Sequence, residues 1–152
     1  MARRTQQRIL AVSSGGGHWV QLSRLRPAFE GYDVAYLTTE RGYRAEVVPA
    51  RFYTVRDASR WNKLALAASA LKVLYVVARE RPDVVVSTGA APGYLAVRFA
   101  KLIGAQTAWV DSIANVEEMS LSGQMASTQA DLCLTQWPHL SGGRVGYRGT
   151  VL

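Results

Sequence analysis

Three short stretches of this chain place small, polar and ionisable residues where anions and hydroxyl groups can be handled. The first is Ser13-Ser14-Gly15-Gly16-Gly17-His18, which follows the apolar run Ile9-Leu10-Ala11-Val12 and opens a helix. Glycines at a strand-to-helix turn let backbone N–H groups approach an anion, and the positive end of the helix adds to the attraction. The same glycines serve a turn that is merely tight, so both readings stand. His18 falls in the first turn, where the helix dipole favours a neutral imidazole. Such an imidazole can take a proton from a hydroxyl group as a general base. A histidine that caps the helix or orients a substrate would occupy the same position.

The second stretch, Ser87-Thr88-Gly89-Ala90-Ala91-Pro92-Gly93, follows Val84-Val85-Val86 and leads into another helix. Parallel α/β sheets bind ligands along the carboxyl ends of their strands, so Gly89, Ala90 and Pro92 are candidates for a second wall of one site. Pro92 near a helix start also has a purely structural explanation. In the third stretch, Asp111-Ser112-Ile113-Ala114-Asn115, Asp111 and Asn115 are candidates for holding substrate hydroxyls. Asp111 can equally cap the following helix, and the spacing favours that role. Glu117 and Glu118 read as ordinary first-turn acids. His139 is loop-borne, and one histidine is not a metal site. No metal-ligand constellation is present in the sequence. Gly15 and Gly17 satisfy G-x-G, but Val20 stands where the dinucleotide fingerprint needs its third glycine. Glu40 lies near the spacing of a ribose-binding acid, which keeps a nucleotide- or dinucleotide-binding module open as an alternative. No Gly-Lys-Ser/Thr follows the first loop, so a Walker loop is excluded.

Alternating strand and helix patterns position these loops. Strands are expected over 8–13, 33–38, 51–55, 84–87, 106–110 and 131–135. Helices are expected over 18–29 and 61–80, from the second loop to about 103 with Gly104 as its stop, and over 116–129 with an interruption at Gly123. Arg81-Pro82-Asp83 ends the long helix. The pattern implies an α/β, Rossmann-like, doubly wound parallel sheet, and 152 residues make it a single domain.

Lys and Arg number 18 against 11 Asp and Glu, a net charge of +7. That balance favours anionic partners: nucleic acid, acidic headgroups or phosphorylated substrates. The arginines are scattered and no nucleic-acid signature appears, so nucleic acid is not expected. The single Cys133 excludes an internal disulfide and suits a reducing compartment, the cytoplasm by default. The basic start, Met1-Ala2-Arg3-Arg4, precedes an apolar run too short for an export signal. Residues 64–78 are apolar nearly all round, with Ser69 and Lys72 as exceptions and Arg60, Lys63, Arg79 and Arg81 as flanks. Lys72 would sit mid-bilayer in a spanning helix, so a core helix is expected. The alternative is a helix with one side on a membrane surface and its arginines on anionic headgroups.

Taken together, four blocks resemble the asparagine-linked glycosylation fourteen-like family and its bacterial polysaccharide-biosynthesis relatives. They are Ser13 to His18, Ser87 to Gly93, Val110 to Val116 with Ser120-Leu121-Ser122-Gly123, and Ala130-Asp131 with Gln136-Trp137-Pro138. The resemblance spans nearly the whole chain. It implies a fold equivalent to the N-terminal half of a GT-B glycosyltransferase, with the C-terminal half supplied in trans. It further implies the acceptor-binding subunit of an inverting, UDP-sugar-dependent enzyme of polysaccharide or glycolipid assembly. The acceptor would be a sugar on a polyprenyl diphosphate, at the inner face of the plasma membrane, where the chain is peripheral. The UDP-sugar is held mainly by a small GT-B C-terminal-type donor-binding partner, and no other cofactor or metal is implied. His18 is the expected base. Ser14, Gly15, Gly16 and Gly17 face the acceptor diphosphate, Gly89, Ala90 and Pro92 form the second wall, and Asp111 and Asn115 hold sugar hydroxyls. Tyr147-Arg148-Gly149-Thr150 resembles the strand that precedes the interdomain linker. Eukaryotic members carry an N-terminal anchor that this chain has no room for. Asp111 stands where many members have Glu, and Asn115 where eukaryotic ones tend to be basic. A non-catalytic scaffold that recruits a transferase to the membrane is a further alternative.

Overall fold

Ile9, Leu10, Ala11 and Val12 are all buried although they alternate in direction, because helices cover both faces of the strand they form. This is β1 (Arg8–Val12), the third strand across a seven-stranded sheet in a computed structural model that describes residues 6–58 and 61–151. Of the features expected from sequence, the basic start at residues 1–4, Arg60 and Leu152 lie outside the described residues. Strands β2 (Asp33–Thr38) and β3 (Arg51–Thr54) lie to one side of β1. Strands β4 (Val84–Ser87), β5 (Gln106–Val110), β6 (Leu132–Thr135) and β7 (Val145–Tyr147) lie to the other. The order is β3-β2-β1-β4-β5-β6-β7 and every pairing is parallel. The α/β doubly wound expectation is met. The chain leaves β1 in one direction and returns to β4 in the other, so the loops after β1 and β4 diverge and open a crevice at the carboxyl edge.

The helices divide two cores. Leu10, Val12, Val73, Val76, Val77, Val85, Val97 and the fully buried Trp109 pack on the side of α3 (Lys63–Glu80) and α4 (Ala90–Leu102). Ile9, Ala11, Leu22, Tyr36 and Trp19 pack on the side of α1 (Gly17–Arg24). The helix expected over 18–29 is cut short because Pro27 supports only a 3-10 turn at Arg26–Phe29. A 3-10 turn at Arg41–Tyr43 and the one-turn α2 (Arg44–Val47) were not foreseen, being too short to show a period. Asn62 caps α3 by accepting from Ala65 N at 3.0 Å, so the helix starts at Lys63. It ends at Arg81, left-handed with φ 43°, ahead of Pro82. The helix expected over 116–129 is reduced to α5 (Leu121–Ser127), because Ser120 caps it. The expected strand over 147–150 begins earlier, at Val145, and ends at Tyr147.

At the amino edge, Glu80 is buried and receives Arg51 through Nε and Nη2 together with the Tyr53 hydroxyl. Asp33 takes Arg51 Nη1 at 2.9 Å and Arg8 at 3.4 Å. Burial pushes the Glu80 carboxyl up, but hydrogen bonds from Arg51 and Tyr53 outweigh it and hold the group below the ordinary carboxylate range. The outer side of α3 is apolar as well as the inner one. Leu64 and Leu71 are 86% and 68% exposed, with Leu74 and Tyr75 on the same surface and Lys63, Lys72 and Arg79 among them. Among the described residues no helix is long and apolar enough to cross a membrane.

Candidate active site at the switch point

Gly16 caps α1 with φ 68° and ψ −136°, a backbone conformation that strains any residue with a Cβ. At Gly15 a Cβ would lie 2.6 Å from Glu40 Cγ. The loop is therefore turned toward the segment after β2. Gly15 N donates to Thr39 Oγ1 and Gly16 N to the Tyr43 hydroxyl, both at 3.0 Å. Tyr43 is held for this by stacking on Trp19, with ring centroids 4.6 Å apart and planes within 4°. The Gly15 and Gly16 amides are spent inside the fold, and the donors left by helix geometry are those of Gly17, His18 and Trp19.

Beside the loop lies a cavity of about 470 Å³ lined by Ser14, Gly15, Gly16, Thr39, Tyr43 and three carboxylates, Glu40, Glu46 and Asp57. Glu46 is partly engaged by Trp19 Nε1 at 3.0 Å. Carboxylates repel a diphosphate and accept hydroxyl protons, so Ser14 faces a space suited to sugar rather than phosphate.

The second loop meets the first directly. His18 Nδ1 lies 3.0 Å from Thr88 O, and the Thr88 hydroxyl donates to His18 O at 2.7 Å. Thr88 is fully buried while His18 is half-buried. A Cβ at Gly89 would come within 2.3 Å of His18 Nδ1. Ala90 follows with φ 67°, a strained value for a residue with a Cβ, at the first position of α4. Pro92 is buried and removes one amide from that first turn. Gly93 allows α4 to approach β4, because a Cβ there would sit 1.9 Å from Ser87 Oγ. Two helix N-termini and one histidine thus share the switch-point crevice.

Asp111 belongs elsewhere. It is 1% exposed, and its carboxylate accepts from Trp109 Nε1 at 3.0 Å, Asn115 Nδ2 at 3.0 Å, Ser120 N at 3.1 Å and Ser120 Oγ at 2.7 Å. Those donors fill its lone pairs and fix the cap of α5. Gly123 is glycine because a Cβ there would lie 2.4 Å from Asp111 Oδ1. Asn115 is half-buried, and its amide nitrogen is committed to Asp111. The other blocks brace this loop. Trp137 Nε1 donates to Ile113 O, His139 contacts Val116 O, and Gln136 Nε2 donates to Asp111 O and Gln21 Oε1. Asp131 joins β5 to α4 through Thr107 and Lys101, which hold its carboxyl below the usual range. Burial pushes the Cys133 thiol up to about 11, so it is not a nucleophile. Among the described residues no group of three or more His, Cys, Asp or Glu is placed to hold a metal ion.

Thr39 and Tyr43 were missed in the sequence because no recognisable element contained them. Thr88 was visible within its loop, but nothing marked its carbonyl as a partner of His18.

A family profile described as "Oligosaccharide biosynthesis protein Alg14 like" matches residues 34–151. No curated protein matches the chain. Among solved structures, MurG of Acinetobacter baumannii is similar with a TM-score of 0.75 at 12% identity, over 93% of this chain and 45% of that one. A UDP-N-acetylglucosamine 2-epimerase from Rickettsia bellii gives 0.72 at 13% identity, over 96% and 45%. A glycosyltransferase from Rickettsia africae gives 0.65 at 10% identity, over 96% and 43%. The chain spans less than half the length of these structures, and likeness at such identity concerns the fold.

Proposed function

Because the chain belongs to the Alg14-like family of oligosaccharide biosynthesis proteins, we propose that it is the acceptor-binding subunit of an inverting UDP-sugar-dependent glycosyltransferase. A small GT-B C-terminal-type partner holds the nucleotide sugar, and no cofactor takes part. The acceptor is a sugar on a polyprenyl diphosphate at the inner face of the plasma membrane. The observation that carries this reading is His18, held between two loops at the switch point with Nδ1 against a carbonyl oxygen. A carbonyl only accepts, so the proton belongs on Nδ1 and Nε2 keeps its lone pair. Nε2 takes the proton of the acceptor hydroxyl as that oxygen bonds to the anomeric carbon. The bond from that carbon to the diphosphate breaks, and UDP leaves with the electron pair. Hydroxyls of the sugar fit the acidic cavity at Ser14, Thr39 and Glu40, and Asn115, on the loop after β5 along the same carboxyl edge, is a further hydroxyl ligand. The open amides of Gly17, His18 and Trp19 suit the acceptor diphosphate.

The exposed apolar side of α3 supports a peripheral membrane position. Burying one leucine there contributes about 1.5 to 3 kcal/mol, and Lys63, Lys72 and Arg79 match anionic headgroups. The test uses native-host membranes carrying the tagged chain, incubated with radiolabelled UDP-sugars, with counting of the lipid-extractable product. Incorporation that depends on the chain and falls about 10²- to 10⁴-fold with His18→Ala is expected. Incorporation unchanged by deletion of the chain would sink the reading.

A further inference from the structure

The interlock of the two loops assigns a role that neither loop shows alone. Thr88 accepts from His18 Nδ1 through its carbonyl, and its hydroxyl donates to the His18 carbonyl, so the two residues close a ring of reciprocal hydrogen bonds. Thr88 is fully buried, which leaves water little access to replace either bond. Gly89 then presses on the imidazole edge, since only the absence of a Cβ lets backbone stand where a side chain would be 2.3 Å from Nδ1. The ring is held by a hydrogen bond on one side and by backbone packing on the other.

We propose that Thr88 and Gly89 are positioning residues that lock His18 as the Nδ1–H tautomer, so that Nε2 is the nitrogen offered to the acceptor hydroxyl. This rests on the reading of His18 as the base. Free histidine in water favours the other tautomer, in which Nε2 carries the proton and cannot take another. The clamp reverses that preference with one carbonyl. When Nε2 receives the proton, the Nδ1–H bond to Thr88 O becomes charge-assisted and strengthens. The carbonyl thereby fills the orienting place that a buried carboxylate has in a Ser-His-Asp triad, without supplying a negative charge.

The test reads the tautomer directly. The chain has two histidines, His18 and His139, so His139→Gln leaves one imidazole to observe. Long-range ¹H–¹⁵N correlation spectra of histidine-labelled protein, recorded where the ring is neutral, are expected to show a single Nδ1–H form. Gly89→Ala, which drives a Cβ to within 2.3 Å of Nδ1, should part the ring from the carbonyl and restore a mixture rich in Nε2–H. Thr88→Ser and Thr88→Val, which keep the backbone acceptor, keep the locked form. In the membrane transfer assay Thr88→Val should lower kcat about 10- to 100-fold with KM for the UDP-sugar unchanged. An Nε2–H ring in the unsubstituted protein overturns the clamp even if both variants fail to fold. A tautomer indifferent to Gly89→Ala also overturns it. A locked Nδ1–H ring in a chain whose His18→Ala variant transfers normally would retain the clamp and remove the base.

Discussion

The loop ends of β4 and β5 are neighbours in the sheet, and both carry residues that resemble a site, yet they are built oppositely. At β4 the backbone is strained at Ala90, two helix N-termini leave amides open, and His18 has a ring nitrogen uncommitted. At β5 every donor around Asp111 is spent, on an acid that is 1% exposed. Strain and unspent hydrogen-bonding capacity mark a place where a ligand can contribute free energy. Saturation marks a place where the fold has already used it. The β5 loop is a knot that braces the edge on which the β4 loop meets His18.

That contrast separates activity from stability. His18→Ala should cost transfer while changing unfolding free energy by less than about 1 kcal/mol in a denaturant titration. Asp111→Ala should do the reverse at the level of the fold. It orphans the buried Trp109 Nε1 and three half-buried donors of Asn115 and Ser120, and a loss on the order of 3 kcal/mol is expected from the same titration. If Asp111→Ala folds with native stability and fails only in transfer, the knot is a site after all.

The glycines give a second, smaller contrast. Gly93→Ala forces a Cβ to within 1.9 Å of Ser87 Oγ and should destabilise by about 1 to 3 kcal/mol. A Cβ at Gly17 meets nothing within 4 Å. Gly17→Ala, at the first position of α1, should be neutral or stabilise by up to about 1 kcal/mol. Equal losses at both positions would show that the two loops are not distinguished by packing.

The amino edge offers another saturated network against which the switch-point edge can be measured. The folded Glu80 carboxyl titrates below its ordinary value of 4.5. Its contribution is therefore present above that value and is lost as pH falls through the folded one. Acid unfolding should steepen below pH 4.5, and Glu80→Gln should flatten that limb while lowering stability near neutrality. A limb unchanged by Glu80→Gln would assign acid lability to other carboxylates.

Much of this architecture was legible. Unbroken β-branched runs such as Val84-Val85-Val86 announce buried parallel strands, and Pro82 and Gly104 punctuate helices by steric rules that act locally. Two small-residue loops after such strands pointed to one edge of the sheet, and on that edge the structure brings them into contact. The fates of Gly15, Gly16 and Asp111 were not legible. Nothing near Gly15 in sequence says that Thr39, 24 residues on, takes its amide. Asp111 looked like a helix cap or a hydroxyl ligand because both need an acid after a strand. Trp109 and Ser120 decided the matter by filling its lone pairs.

The sequence by itself determined where strands, turns and helices begin, because backbone sterics and side-chain period are properties of adjacent residues. Tertiary structure alone decided which polar groups are spent and which remain available. His18 meets Thr88 across 70 residues, and Gln21 meets Gln136 across 115. A hydrogen bond across such a distance depends on strand order and register. In this chain those follow from how two apolar cores close on either side of β1, which no local pattern encodes.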